Sequence, residues 1–157
     1  MIQNFFKMKT KHLLIALFLT LNTAFSQESK YDENLAKSLN ADDRGMKNYV
    51  FCILKTGTNT TATDEEKSNY FKGHMANISR LAAEGKLAVA GPFGKNDRNY
   101  RGIYILNVIT IEEAKVLIET DPAVKANIFE CELTLWYGSA ALMKVSEIHK
   151  TIAKSKF

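Results

Sequence analysis

Histidine, with an ordinary pKa of about 6.5, is the side chain best suited to exchange protons at working pH. This chain has three of them. His74 stands in HMANISRLAAEG, three residues past Phe71 and next to Met75, at the border of an apolar helical stripe. A histidine there suits general acid or base work, and it equally suits a core-edge imidazole bonded to backbone. Asp121, in an Asp-Pro step, supplies the kind of carboxylate that fixes an imidazole's tautomer and raises its basicity. The same step also terminates a helix, because the residue before proline is pushed out of helical conformation. Nothing in the spacing alone brings the two side chains together.

Other residues could hold a substrate. Arg80, Arg98 and Arg101 can orient an anion by paired hydrogen bonds, with Arg98 and Arg101 in a polar connection that favours solvent. Tyr70, Phe93, Tyr104 and Trp136 could wall an apolar pocket, although an aromatic in a sheet more often packs in the core. Arg80, Arg101 and Trp136 are taken as the substrate-binding candidates. His149 falls in a lysine-rich terminal helix and reads as surface. The chain has no glycine-rich nucleotide loop, HExxH pattern or GxSxG elbow, so neither a metal nor a cofactor is expected. Cys52 and Cys131 both lie in strand-like runs, where a cross-strand bridge and two buried thiols are both open readings.

The elements that must position these residues follow from patterning. Tyr49–Lys55, YVFCILK, has the β-branched and aromatic density of a central strand. Thr63 with Glu66 forms a capping box, which predicts a helix running to about Glu84, with Phe71, Met75, Ile78, Leu81 and Ala82 on its inner face. Lys86–Ala90 is a second strand and Gly102–Val108 a third, joined through the turn-forming stretch 93–99. Thr110 with Glu113 is a second capping box, and Ala114, Leu117 and Ile118 line the helix that follows. Phe129–Tyr137 is the last strand, alternating around Cys131, Leu133 and Leu135. The order β-α-β-β-α-β predicts an α+β, ferredoxin-like antiparallel sheet with both helices on one face. Ser139–Ile152 adds a C-terminal helix, with Leu142, Val145, Ile148 and Ile152 in phase. Apolar residues on both faces of the central strands call for a cover on the open face, and a second subunit is the expected one.

The chain's 157 residues bound it to one domain's worth of core. Its net charge of +4 is unevenly placed: Lys7, Lys9 and Lys11 are three of the 21 basic residues, which leaves 18 against 17 acidic ones from residue 27 onward. That balance offers no basic footprint for nucleic acid. The lysine-bearing start, the apolar run Leu13–Leu21 and the small residues Ala24 and Ser26 have the layout of an export signal over 1–26. The apolar run is about half of what a bilayer span needs. The expected organisation is a signal peptide (1–26), an arm (27–48), a ferredoxin-like domain (49–138) and a helical extension (139–157). The expected location is outside the cytoplasm, periplasmic or secreted, with no membrane attachment after cleavage.

Several stretches together carry a family likeness: HMANISRLAAEGKLAVAGPFG, RGIYILNV, TIEEAKVLIETDPAVKAN and ELTLWYG. In combination they resemble the YciI-like (YCII-related) family over about Tyr49 to Gly138. ADDRGMKNYVFCILKTG before them and SAALMKVSEIHKTIAK after them are similar to an exported branch of it. The resemblance implies a ferredoxin-like homodimer related to the dimeric α/β-barrel group. It also implies an active-site cleft with a His and an Asp, matched here by His74 and Asp121. A few members of that family act on chlorinated or hydroxylated aromatic intermediates. Two functions are therefore expected candidates: a His74–Asp121 enzyme of isomerase or lyase type acting on a small polar or aromatic molecule, and a dimeric small-molecule binder without turnover.

Overall fold

The computed structural model describes residues 30–155, and from Glu33 onward these form one compact unit, taken here by itself. The proposed export signal, residues 1–26, lies outside the described residues. The elements are α1 (Glu33–Ser38), β1 (Met46–Thr56), α2 (Asp64–Ala83), β2 (Leu87–Pro92), β3 (Tyr100–Leu106), α3 (Ile111–Ile118), α4 (Pro122–Lys125), β4 (Phe129–Ser139), a 3-10 turn (Ala140–Lys144) and α5 (Val145–Ile152). The four strands form one antiparallel sheet in the order β2-β3-β1-β4. This is the ferredoxin-like arrangement that the sequence predicts.

Each helix starts where its local chemistry dictates. Thr63 and Thr110 both form reciprocal capping boxes, with Glu66 and Glu113 respectively. The Asp-Pro step does more than end a helix: Asp121 caps α4 by accepting from the Ala123 backbone N–H, with Pro122 in the first turn, where its missing donor costs nothing. The chain before β4 is also tied closely to the chain after β1. Gly57 donates to Ile128 O at 2.8 Å, and a Cβ on it would lie 2.1 Å from Asn127 O, so only glycine permits this approach.

Three sequence expectations need correction. β1 begins at Met46, three residues early, because Met46 to Asn48 pair with Tyr137 to Ser139 of β4. The C-terminal segment is a 3-10 turn followed by a short helix instead of one helix. Of its in-phase apolar residues, Leu142 packs on the sheet, whereas Ile148 and Ile152 are exposed. On α2, the buried stripe is His74, Asn77 and Leu81, with Phe71 55% exposed. Close approach explains the rotation: Gly73 lies so near α4 that a Cβ would stand 2.8 Å from Pro122 Cγ, which turns His74 and Asn77 inward.

The core lies between the sheet and α2 and α3. It holds Val50, Cys52, Leu54, Tyr104 and Leu106 from the strands and Leu81, Ala114 and Ile118 from the helices. Residues of opposite parity, Tyr49, Phe51 and Ile105, face the other way and meet Ala88, Leu142 and Met143.

Candidate active site

The buried polar residues of the core are few and they converge. His74 is 6% exposed, Asn77 6%, and Asp121 is fully buried. His74 comes from the middle of α2, Asp121 from the corner between α3 and α4, and Tyr104 from the centre of β3, directly opposite Cys52 on β1.

Their geometry defines a closed triad. His74 Nδ1 lies 2.6 Å from Asp121 Oδ2, and the Tyr104 hydroxyl donates to the same oxygen at 3.2 Å. The second carboxylate oxygen accepts from the Ala123 N–H at 2.9 Å. Three donors converging on one carboxylate are what an ionised Asp needs in a dry interior. Burial, and then the Asp121 charge, push the Tyr104 phenol well above its ordinary value of 10.0, so it remains a neutral donor. In the tautomer that donates Nδ1–H to Asp121, Nε2 carries the lone pair. That atom lies 3.5 Å from the Tyr104 hydroxyl, at the limit of a hydrogen bond.

Aromatic rings surround the imidazole. The His74 ring stacks on Tyr104 at 6.0 Å, and the rings of Phe129 and Phe71 lie at 5.0 and 5.8 Å. Phe71 is exposed, so the surface beside His74 presents an apolar aromatic edge over a buried base. This arrangement can accept a proton from a small flat molecule, keep water from the imidazole and return the proton to another atom.

The substrate-binding candidates do not gather around it. Arg80 is close but occupied: its guanidinium donates to Glu84, Asn77 Oδ1 and Thr120 Oγ1. Trp136 belongs to the opposite face of the sheet, where its ring meets Tyr49 and Phe51. Strand alternation carries it away from His74, because it is one residue out of phase with Leu133 and Leu135. Arg101 is likewise out of phase with Tyr104 and donates to Thr56 Oγ1 at 2.6 Å. Tyr104, which the sequence offers as a pocket wall, is instead a member of the triad. The signal that could have promoted it is its place in a nearly continuous apolar strand, where a buried hydroxyl must find a partner.

Cys52 and Cys131 are free thiols. A hydrogen bond with Cys131, followed by burial, raises the Cys52 thiol far above its ordinary range, so Cys52 stays protonated. A cavity of about 350 Å³ opens elsewhere, between α2, β2 and α5, lined by Ile78, Ala82, Leu87, Val89, Val145 and Lys150. None of the triad lines it. Among the described residues no three His, Cys, Asp or Glu side chains gather as a metal ion would require, and no helix is long and apolar enough to cross a membrane.

Comparison with known proteins adds three findings. The YCII-related domain family matches residues 49–136. Among solved structures, the chain is similar to 5-chloro-2-hydroxyhydroquinone dehydrochlorinase from Burkholderia phenoliruptrix AC1100, in complex with 2,5-dihydroxybenzoquinone. The identity is 22% and the TM-score 0.37, over 55% of this chain and 90% of that one. No curated protein matches this chain.

Proposed function

The chain belongs to the YCII-related domain family, and from that premise we propose that it is an enzyme in which His74 moves a proton on a small polar or aromatic molecule. The observation that carries this reading is the buried 2.6 Å contact between His74 Nδ1 and Asp121 Oδ2, with Tyr104 on the same oxygen. Asp121 orients the ring and balances the charge that forms when Nε2 takes a proton. A C–H bond of the substrate breaks, its proton goes to Nε2, and its electron pair enters the conjugated system. In an isomerisation the proton returns to another atom of the substrate. In an elimination the electron pair expels a leaving group, as a lyase requires.

The unit of function in this proposal is a homodimer closed over the open sheet face. The chain is exported through residues 1–26, and the 49–138 domain is followed by a C-terminal extension.

The test is hydrogen–deuterium exchange. The protein is incubated in D₂O with a panel of enolisable carbonyl compounds and hydroxylated aromatics, and loss of the C–H signal is followed by proton NMR. The native protein is expected to accelerate exchange in at least one compound, and His74→Gln to slow it by about 10²- to 10⁴-fold. Binding of a compound with no exchange, or exchange that survives His74→Gln, would overturn the enzymatic reading; the first result would establish a binder without turnover.

A further inference from the structure

Asp121 is held by more than its own short helix. Its chain neighbour Thr120 is tied to α2 at a point one to two turns beyond His74. Arg80 Nη2 donates to Thr120 Oγ1 at 2.8 Å and to Asn77 Oδ1 at 2.7 Å. Thr120 Oγ1 in turn lies 2.9 Å from Asn77 Oδ1 and 2.6 Å from the Leu117 carbonyl, so its single proton serves those two acceptors. Arg80, Asn77 and Thr120 thus close a three-membered ring of polar contacts, and Glu84 holds the far side of the guanidinium at 2.8 and 3.0 Å.

The placement is economical. His74, Asn77 and Arg80 follow one another at three-residue spacing along one side of α2. The helix that carries the imidazole therefore also grips the corner that carries its carboxylate. Asn77 is buried, yet its Nδ2 has no hydrogen-bond partner among the described residues. A leucine would avoid leaving that donor unsatisfied. What the amide contributes is its oxygen, which accepts from both Arg80 and Thr120.

We propose that Arg80, Asn77 and Thr120 form a positioning latch that sets the Asp121 carboxylate against His74 Nδ1 and so decides which ring nitrogen carries the proton. The proposal deepens the proton-transfer reading above and rests on it. The latch touches no substrate and acts only through Asp121. The titratable groups facing His74 are Asp121 from the α3–α4 corner and Tyr104 from β3, with the Cys52 and Cys131 thiols beyond them on β1 and β4.

The tautomer is read directly from long-range ¹H–¹⁵N spectra of the full chain labelled at histidine. The native protein is expected to show His74 protonated at Nδ1. Thr120→Val and Arg80→Met should each lower the ratio of Nδ1–H to Nε2–H roughly tenfold, the size of one lost hydrogen bond. Thr120→Ser, which keeps the hydroxyl, should restore it, and Glu84→Gln should leave it unchanged. A latch that served only stability would lower the melting temperature without moving the tautomer, and that result in Thr120→Val and Arg80→Met overturns the proposal. Should Thr120→Val fail to fold, Arg80→Met decides, since the Arg80 side chain is 45% exposed. Asp121→Asn separates the two readings. If it also leaves the tautomer unmoved, the His74–Asp121 dyad itself falls; if it alone moves it, only the latch does.

Discussion

At the scale of single residues, the site turns on how a buried carboxyl group finds its hydrogen-bond partners. Asp121 has no solvent, so each donor aimed at it replaces part of a lost hydration shell. Tyr104→Phe removes one of the three donors while leaving the ring stacked on His74, and is expected to cost about 1.5–3 kcal/mol, the range for hydrogen bonds to charged groups. Urea unfolding at neutral pH measures it. The pH dependence has a definite sign. Tyr104 titrates above its unfolded value of 10.0, so the stability it contributes is complete below pH 10.0 and is lost as pH rises beyond it, when the unfolded chain can ionise and the folded one cannot. The gap between native protein and Tyr104→Phe should therefore narrow in alkali; a gap constant to pH 11 would show that the phenol is not held by Asp121. His74 and Asp121 were both legible as candidates, because their types suit proton transfer and the family likeness singled them out. Tyr104 as a partner was not, since its hydroxyl matters only once β3 is laid opposite the α3–α4 corner. That Arg101 and Trp136 stand apart from the triad has a related reason: which face a strand residue takes depends on register, and Trp136 sits where the alternation of β4 carries it to the far face.

At the scale of elements, the helix starts were the most legible features, because a capping box is local chemistry. Both boxes form with the reciprocal bonds expected of Thr63 with Glu66 and Thr110 with Glu113. Thr63→Ala and Thr110→Ala are each expected to cost about 0.5–2 kcal/mol in thermal or urea unfolding. The Thr63 backbone N–H holds Glu66 below its ordinary 4.5, and the Thr110 hydroxyl does the same for Glu113. A depressed carboxylate contributes stability that is full above the unfolded value and lost as pH falls through the lower folded value. Removing the charge instead, Glu66→Gln and Glu113→Gln should differ from the native protein at pH 7 and converge with it as pH falls below the ordinary 4.5; a difference that persists undiminished in acid would mean that the two boxes do not depend on ionised glutamates. Helix rotation and strand ends were less legible. The face that α2 buries is set by how closely Gly73 lets α4 approach, and the early start of β1 by pairing with Ser139, ninety-odd residues away in the chain. Neither leaves a local trace. The Asp-Pro step shows the same limit: its proline announces a break, while the cap that Asp121 provides to α4 depends on the helix that follows.

At the scale of the whole molecule, the two faces of the sheet have unequal fates. One is sealed by α2, α3 and α4 and contains the triad. On the other, the 3-10 turn covers Tyr49 and Ile105 through Leu142 and Met143, but Phe51, Ile53 and Ile103 are only half-buried and Trp136 remains 37% exposed. Such a contiguous apolar face on a twisted sheet is a natural seam for a copy of itself, since the same patch on two subunits is self-complementary under two-fold symmetry and sheets stack face to face at about 10 Å. Lys55 and Glu132, which pair on this face near the end of β1, would then sit at the polar rim. The homodimer proposed above makes a direct prediction. Ile103→Glu places a charge at the centre of the seam, where neither copy can hydrate it, and is expected to move the protein from dimer to monomer in sedimentation velocity. The His74 tautomer should survive the change, because the triad draws all its hydrogen bonds from one chain on the opposite face of the sheet. A native protein that sediments as a monomer would remove the dimer, and a dimer unaffected by Ile103→Glu would move its interface off this face.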